Sequence, residues 1–188
     1  AVGFAAEVDQ RLVGEQPALH RFVAQAPAAD ALGAGDQYDA AVASYLDGAA
    51  NALYDLGRQG FLDGSIDWDT ATIKVALVDS GVYTVNLSTH QFMSSVTSPV
   101  ATSAALGSKT VTAGVADAAD FTFTAVSGAQ SEALVIYQSS AVTGGADVAA
   151  GSQRVIGYID TATGLPVTPN TGDITVTWDN GANRIFKL

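Results

Sequence analysis

The spacing of apolar residues changes near residue 65: helical steps of three and four give way to an alternation of two that runs to the last residue. In residues 3–13, Phe4, Val8 and Leu12 form one stripe at i, i+4 and i+8, the spacing of a short amphipathic helix. A second short helix is predicted from Pro17 to Ala26, with Pro in the first turn, Leu19, Phe22 and Val23 on one face, and Pro27 at its end. The small residues 28–35, which include Leu32, form a linker. Asp36 then caps a long helix to about Leu62, in which Tyr38, Val42, Tyr45, Leu46, Ala49, Leu53 and Leu56 recur at helical steps, and Gly64 stops it.

From Thr72 the period is two. Ile73, Val75 and Leu77 alternate with Lys74, Ala76 and Val78, and Phe121 and Phe123 with Thr122 and Thr124. Further strands are predicted at 82–86, 97–104, 109–115, 132–138, 154–160, 173–178 and 184–187, separated by Gly, Asp, Asn and Ser clusters. Ile174, Val176 and Trp178 point one way, Thr175 and Thr177 the other, and Asn180-Gly181 invites a hairpin into Ile185 and Phe186. Short strands in succession without helices between them predict a mainly β fold, an antiparallel β-sandwich or jelly-roll-like domain over 66–188, carrying an α-helical N-terminal extension over 1–65.

Composition narrows the function. Of 188 residues, 48% are hydrophobic and 14% charged, enough apolar material for a core. The net charge of -11 divides almost evenly, nine acids and three bases before residue 66 and ten acids and five bases after it. No basic patch stands ready to neutralise phosphates, so nucleic acid is not an expected partner. Absence of cysteine removes disulfides, thiolate metal sites and cysteine nucleophiles. No segment reaches the roughly 18–20 apolar residues that span a bilayer, and the opening lacks the pattern of a signal peptide, so no membrane association is expected. Ala1 suits removal of an initiator Met, which points to synthesis in the cytoplasm.

Catalytic material is thin. His20 and His90 lie far apart with no carboxylate motif around either, and each reads as solvated or locally hydrogen-bonded. Ser88, Ser94 and Ser95 neighbour His90, yet no G-x-S-x-G elbow accompanies them. Asp67 and Asp69 around Trp68, or Asp179 with Asn180 and Asn183, have the oxygen ligands of a hard-cation site. Connection and turn chemistry explain both better, since the twelve-residue calcium loop is missing. Gly144-Gly145 lies in a polar loop without the Lys-Ser/Thr of a phosphate cradle. No metal, cofactor or catalytic residue is therefore expected. Tyr38, Tyr45 and Tyr54 at helical spacing read as core. The two short N-terminal helices cannot bury a face by themselves and need a surface, their own β domain or, preferably, another subunit.

From Ala49 onward the run ANALYDLGRQGFLDGSIDWDTATIKVALVDSGVYTVNLSTHQF, then TAVSG at 124–128 and IGYIDTATGLPVTPNTGDITVTWDNGANRIFKL to the end, resembles small structural proteins of tailed bacteriophages and prophages. The resemblance covers residues 49–188 and leaves 1–48 as an added arm. It implies a virion component without catalytic activity: a capsid decoration or cement protein on the outer shell, a homo-oligomer, in particular a trimer, made in the host bacterial cytoplasm. The major capsid protein is the implied partner, with Phe4, Val8, Leu12, Leu19, Phe22, Val23 and Leu32 of the arm as anchors. A receptor- or glycan-binding module of a tail or head fibre is the competing expectation, with the loop from Ser139 to Gln153 and the aromatics Tyr83, Phe92 and Tyr137 as its contact surface. A tail or connector component comes third and an enzyme last.

Overall fold

The computed structural model describes residues 36–42 and 51–188. The short helices expected at 3–13 and 17–26, and the linker at 28–35, lie outside the described residues.

Eleven strands and one short helix make up the described chain: β1 (Asp36–Val42), β2 (Asn51–Leu53), α1 (Asp55–Leu62), β3 (Thr72–Val78), β4 (Ala101–Thr102), β5 (Thr110–Thr112), β6 (Val115–Asp117), β7 (Phe121–Phe123), β8 (Ala133–Ser140), β9 (Arg154–Ile159), β10 (Asp173–Trp178) and β11 (Phe186–Lys187). They form a five-stranded sheet in the order β2-β9-β8-β3-β4 and two three-stranded sheets, β1-β10-β7 and β11-β6-β5. The fold is mainly β, as expected, and its ladders are antiparallel apart from β1 on β10.

Residues 43–50 of the long helix expected from Asp36 to Leu62 lie outside the described residues, and the described parts of that span are two strands and eight helical residues. Asp36–Val42 pairs with β10, Asn51–Leu53 pairs with β9, and among the described residues helix is confined to Asp55–Leu62 at the end of that span. Ladder pairing overrides helical spacing, and the side chain of Asn51 reinforces it. Its Oδ1 accepts from Asp160 N and Thr161 N at 3.1 and 3.0 Å while its Nδ2 donates to Thr161 O at 3.0 Å. The helix does end where glycine leads one to expect, with Gly64 at φ 74° just beyond it. Although they precede residue 66, β2 and α1 share the core of the later strands: Leu53 joins it and α1 lies on β9. That closeness needs glycine, because a Cβ at Gly57 would sit 2.9 Å from Val155 O and 3.0 Å from Ile156 O.

The alternation in β3 separates two cores rather than core from water. Ile73, Val75 and Leu77 join Leu134, Ile136, Ile156 and Ile159 on one face, packed against Phe123, Ile174, Val176 and Trp178 of the β10 sheet and Phe186 of the third sheet. Ala76 and Val78 join Val135, Tyr137, Val155 and Tyr158 on the other face, where Tyr83, Met93 and Val96 from residues 79–97 cover them. Residues 82–86, expected as a strand, are part of that covering loop, whose only helical turn is Met93–Ser95. With both faces covered, every residue of central β8 is buried.

The expected hairpin at Asn180-Gly181 does not form. β10 pairs with β7, and β11 crosses to the third sheet, where Phe186 stands opposite Ala116. Burial of Ile185, and of Phe186 against Trp68 and Phe61, draws the chain there, and Arg184 at φ 50° makes the bend. Among the described residues no helix is long and apolar enough to cross a membrane.

Candidate functional site

Two places in the described chain concentrate polar side chains. The first is a chain of three rings between α1 and the covering loop. Tyr54 opens α1 and is fully buried, and its hydroxyl lies 2.8 Å from that of Tyr83, which lies 2.9 Å from His90 Nδ1. Asn86 N–H also points at Nδ1, at 3.4 Å. A backbone N–H can only donate, so Nδ1 is an acceptor and the ring proton sits on Nε2. Tyr83 then donates to His90 and Tyr54 donates to Tyr83.

Burial, followed by the hydrogen bond to Tyr83, pushes the Tyr54 phenol far above its ordinary range. Burial likewise raises Tyr83, with the Tyr54 hydrogen bond opposing it, and lifts Tyr137 and Tyr158 to about 12. Four phenols held neutral supply no base. The hydrogen bonds of His90 go to Tyr83 and Asn86, not to a serine hydroxyl, while Ser88 N–H donates to Asn86 Oδ1. Chemically, the arrangement fastens residues 83–90 onto α1. The same fastening removes the expected sugar platform: Tyr83 and Tyr137 are buried, and Phe92 lies half-buried under the Arg154 guanidinium, 5.5 Å from its ring centre.

The aspartate candidates are turn chemistry. Asp67 Oδ1 accepts from Asp69 N and Thr70 N at 2.9 and 3.0 Å, bonds that hold the Asp67 carboxyl below its ordinary range. Trp68 is buried between them and donates Nε1–H to Asp117 O. Asn180 Oδ1 receives Arg184 across its turn. Among the described residues, no group of three or more His, Cys, Asp or Glu side chains is placed to hold a metal ion.

The second place is the loop from Ser139 to Gln153, fixed to the body at several points. Thr72 Oγ1 donates to Val142 O at 2.7 Å, Thr143 Oγ1 to Thr70 O, and Val148 N to Ser139 O at 2.9 Å. Lys74 Nζ meets Asp147 Oδ2 at 2.8 Å, and that bond holds the Asp147 carboxyl below its usual range. Gly145 lets the turn close, since a Cβ there would lie 2.6 Å from Ser140 Oγ. The loop lifts Val142 and Val148 into solvent, 65% and 41% exposed. A held loop with apolar tips is suited to contact rather than catalysis. Sequence reasoning singled out this loop but not its valines. His20 and the arm positions Phe4, Val8, Leu12, Leu19, Phe22, Val23 and Leu32 lie outside the described residues.

The chain matches no known protein family, and no curated protein matches it.

Proposed function

We propose that this protein is a non-enzymatic phage virion component that binds the outer surface of the capsid as a decoration or cement protein and stabilises the shell. It acts as a homo-oligomer, a trimer at local threefold positions, made in the host bacterial cytoplasm. The observation that carries this is where the phage-like segments fall. NALYDLGRQGFL forms β2 and α1, and ITVTWDNGANRIFKL forms the end of the chain, which contributes Ile174, Val176, Trp178, Ile185 and Phe186 to the larger core. The resemblance therefore rests on residues that build the body, so what it carries over is a scaffold. We read the stacking of the five-stranded sheet on the two smaller ones as the antiparallel sandwich of that scaffold. Modest contacts per copy, repeated around a symmetric cluster, supply avidity for the major capsid protein.

The test is to mix purified protein with undecorated capsids, sediment them, and image the pellet by electron cryomicroscopy. Ordered density on the outer shell, lost when residues 1–35 are removed, is the expected result. Protein left in the supernatant at concentrations saturating for other shell proteins would overturn it. One observation favours a second reading, a tail, connector or head-fibre component that binds a receptor or glycan: the held loop with exposed Val142 and Val148. That alternative expects density at the tail or its tip, and loss of binding on replacing both valines with Asp.

A further inference from the structure

We propose that the edge of β10 covered by β1 is a strand-exchange site, at which residues 36–42 of a second copy take the place of this chain's own β1. The inference rests on the homo-oligomer reading above and specifies how the copies join. β1 is the one parallel strand among the described ladders, and it lies against β10. Residues 43–172 separate it from β10, so no tight turn fixes the pairing; the ladder alone sets the register. The ladder is the same whichever copy supplies the strand.

Three features favour release of β1 from its ladder. Parallel pairing is slightly weaker per residue than antiparallel pairing. The register slips between Gln37 and Ala40. Asp36 also stands opposite Asp173, placing like charges at one register position. β10 in turn requires an edge partner. On its other side β7 covers only Ile174 to Val176, and an unpaired strand edge leaves backbone donors and acceptors open to indiscriminate pairing. The sequence shown to fit this edge is the chain's own 36–42, which makes a second copy the occupant. A ring in which each copy gives β1 to the next leaves no β10 edge uncovered, and it carries each N-terminal arm onto a neighbour.

The protein contains no cysteine, so a pair can be introduced cleanly. Ala41 stands opposite Thr177 in the register, within the reach of a disulfide. The full-length chain carrying Ala41→Cys and Thr177→Cys is oxidised gently and run on a non-reducing denaturing gel, with light scattering of the native sample in parallel. A mixture of the two single variants, unfolded and refolded together, serves as the control.

Exchange predicts a shift of the 19.1 kDa band to multiples of that mass, and cross-linked heterodimers in the mixture. Oxidation that leaves only an internally bridged monomer overturns the exchange, even if light scattering finds an oligomer; so does failure to cross-link at all. Capsid sedimentation is scored separately. An exchanged ring that ignores shells would overturn the decoration reading alone, and shell binding by an unexchanged chain would overturn the exchange alone.

Discussion

Replacing Tyr83 with Phe should cost more than replacing Tyr54 with Phe, although the two substitutions remove the same atom. Tyr83 stands in the middle of the chain, accepting from Tyr54 at 2.8 Å and donating to His90 at 2.9 Å. Tyr54→Phe deletes the outermost donor and leaves the Tyr83–His90 bond intact, a loss of about 1 kcal/mol for one hydrogen bond. Tyr83→Phe strands the fully buried Tyr54 hydroxyl, so its desolvation penalty adds to the lost bonds, for a total of about 2–3 kcal/mol. The ring itself remains in each case, so packing against Tyr158, 6.3 Å away, is kept. Once Tyr83 is Phe, a further Tyr54→Phe removes the stranded hydroxyl and should cost nothing or stabilise. The double variant is thus less damaged than the sum of the singles by about 1–2 kcal/mol. Urea unfolding of the four proteins at neutral pH, followed by tryptophan fluorescence with a shared slope, closes the cycle. Additive losses, or equal losses from the two single changes, would refute the donor order and the tautomer assigned to His90.

Two further outcomes follow from the same interior. Tyr137 and Tyr158 are raised to about 12 by burial, and Tyr54 and Tyr83 are raised as well, so the folded state holds phenolic protons that the unfolded state releases near pH 10. The stability from this preference is fully present below about pH 10 and falls as pH rises toward the folded values, by at most about 1.4 kcal/mol per pH unit per phenol; an unfolding midpoint flat from pH 9 to 12 would contradict it. Gly57→Ala, which would favour an isolated helix by about 1 kcal/mol, should instead destabilise by about 1–3 kcal/mol because its Cβ meets two backbone carbonyls of β9; a higher melting temperature would show that α1 stands further off.

β10 was legible at its full length because Ile174, Val176 and Trp178 face one core and the threonines between them do not. Where burial is two-sided, the same alternation misled. Tyr83, Val85 and Leu87 alternate with polar residues like a strand, but they cover a sheet face from a loop. In β9 the faces slip: Val155 and Tyr158 share one core and Ile156 and Ile159 the other, because the pairing with β8 is irregular between Ile136 and Tyr137. The helical spacing from Asp36 onward was real as a pattern, yet long-range ladders to β10 and β9 decided those residues, and local periodicity carries no information about them. His90 and the Asp67 turn were read correctly as local chemistry. The Tyr54–Tyr83 bond was not readable, since it joins residues 29 positions apart, and a buried tyrosine's need for a partner was the one available signal.

The central sheet is apolar on both sides, but among the described residues only one side is closed by other strands; the second is covered by residues 79–97. If that segment lifts, the larger core keeps its shape while a flat surface of Ala76, Val78, Val135 and Val155 meets water. Such a surface adheres to its own kind, and the tendency grows with concentration. Tyr54, Tyr83 and His90 thereby guard solubility as much as stability: weakening them should show first as turbidity in concentrated samples, before any dilute sample unfolds.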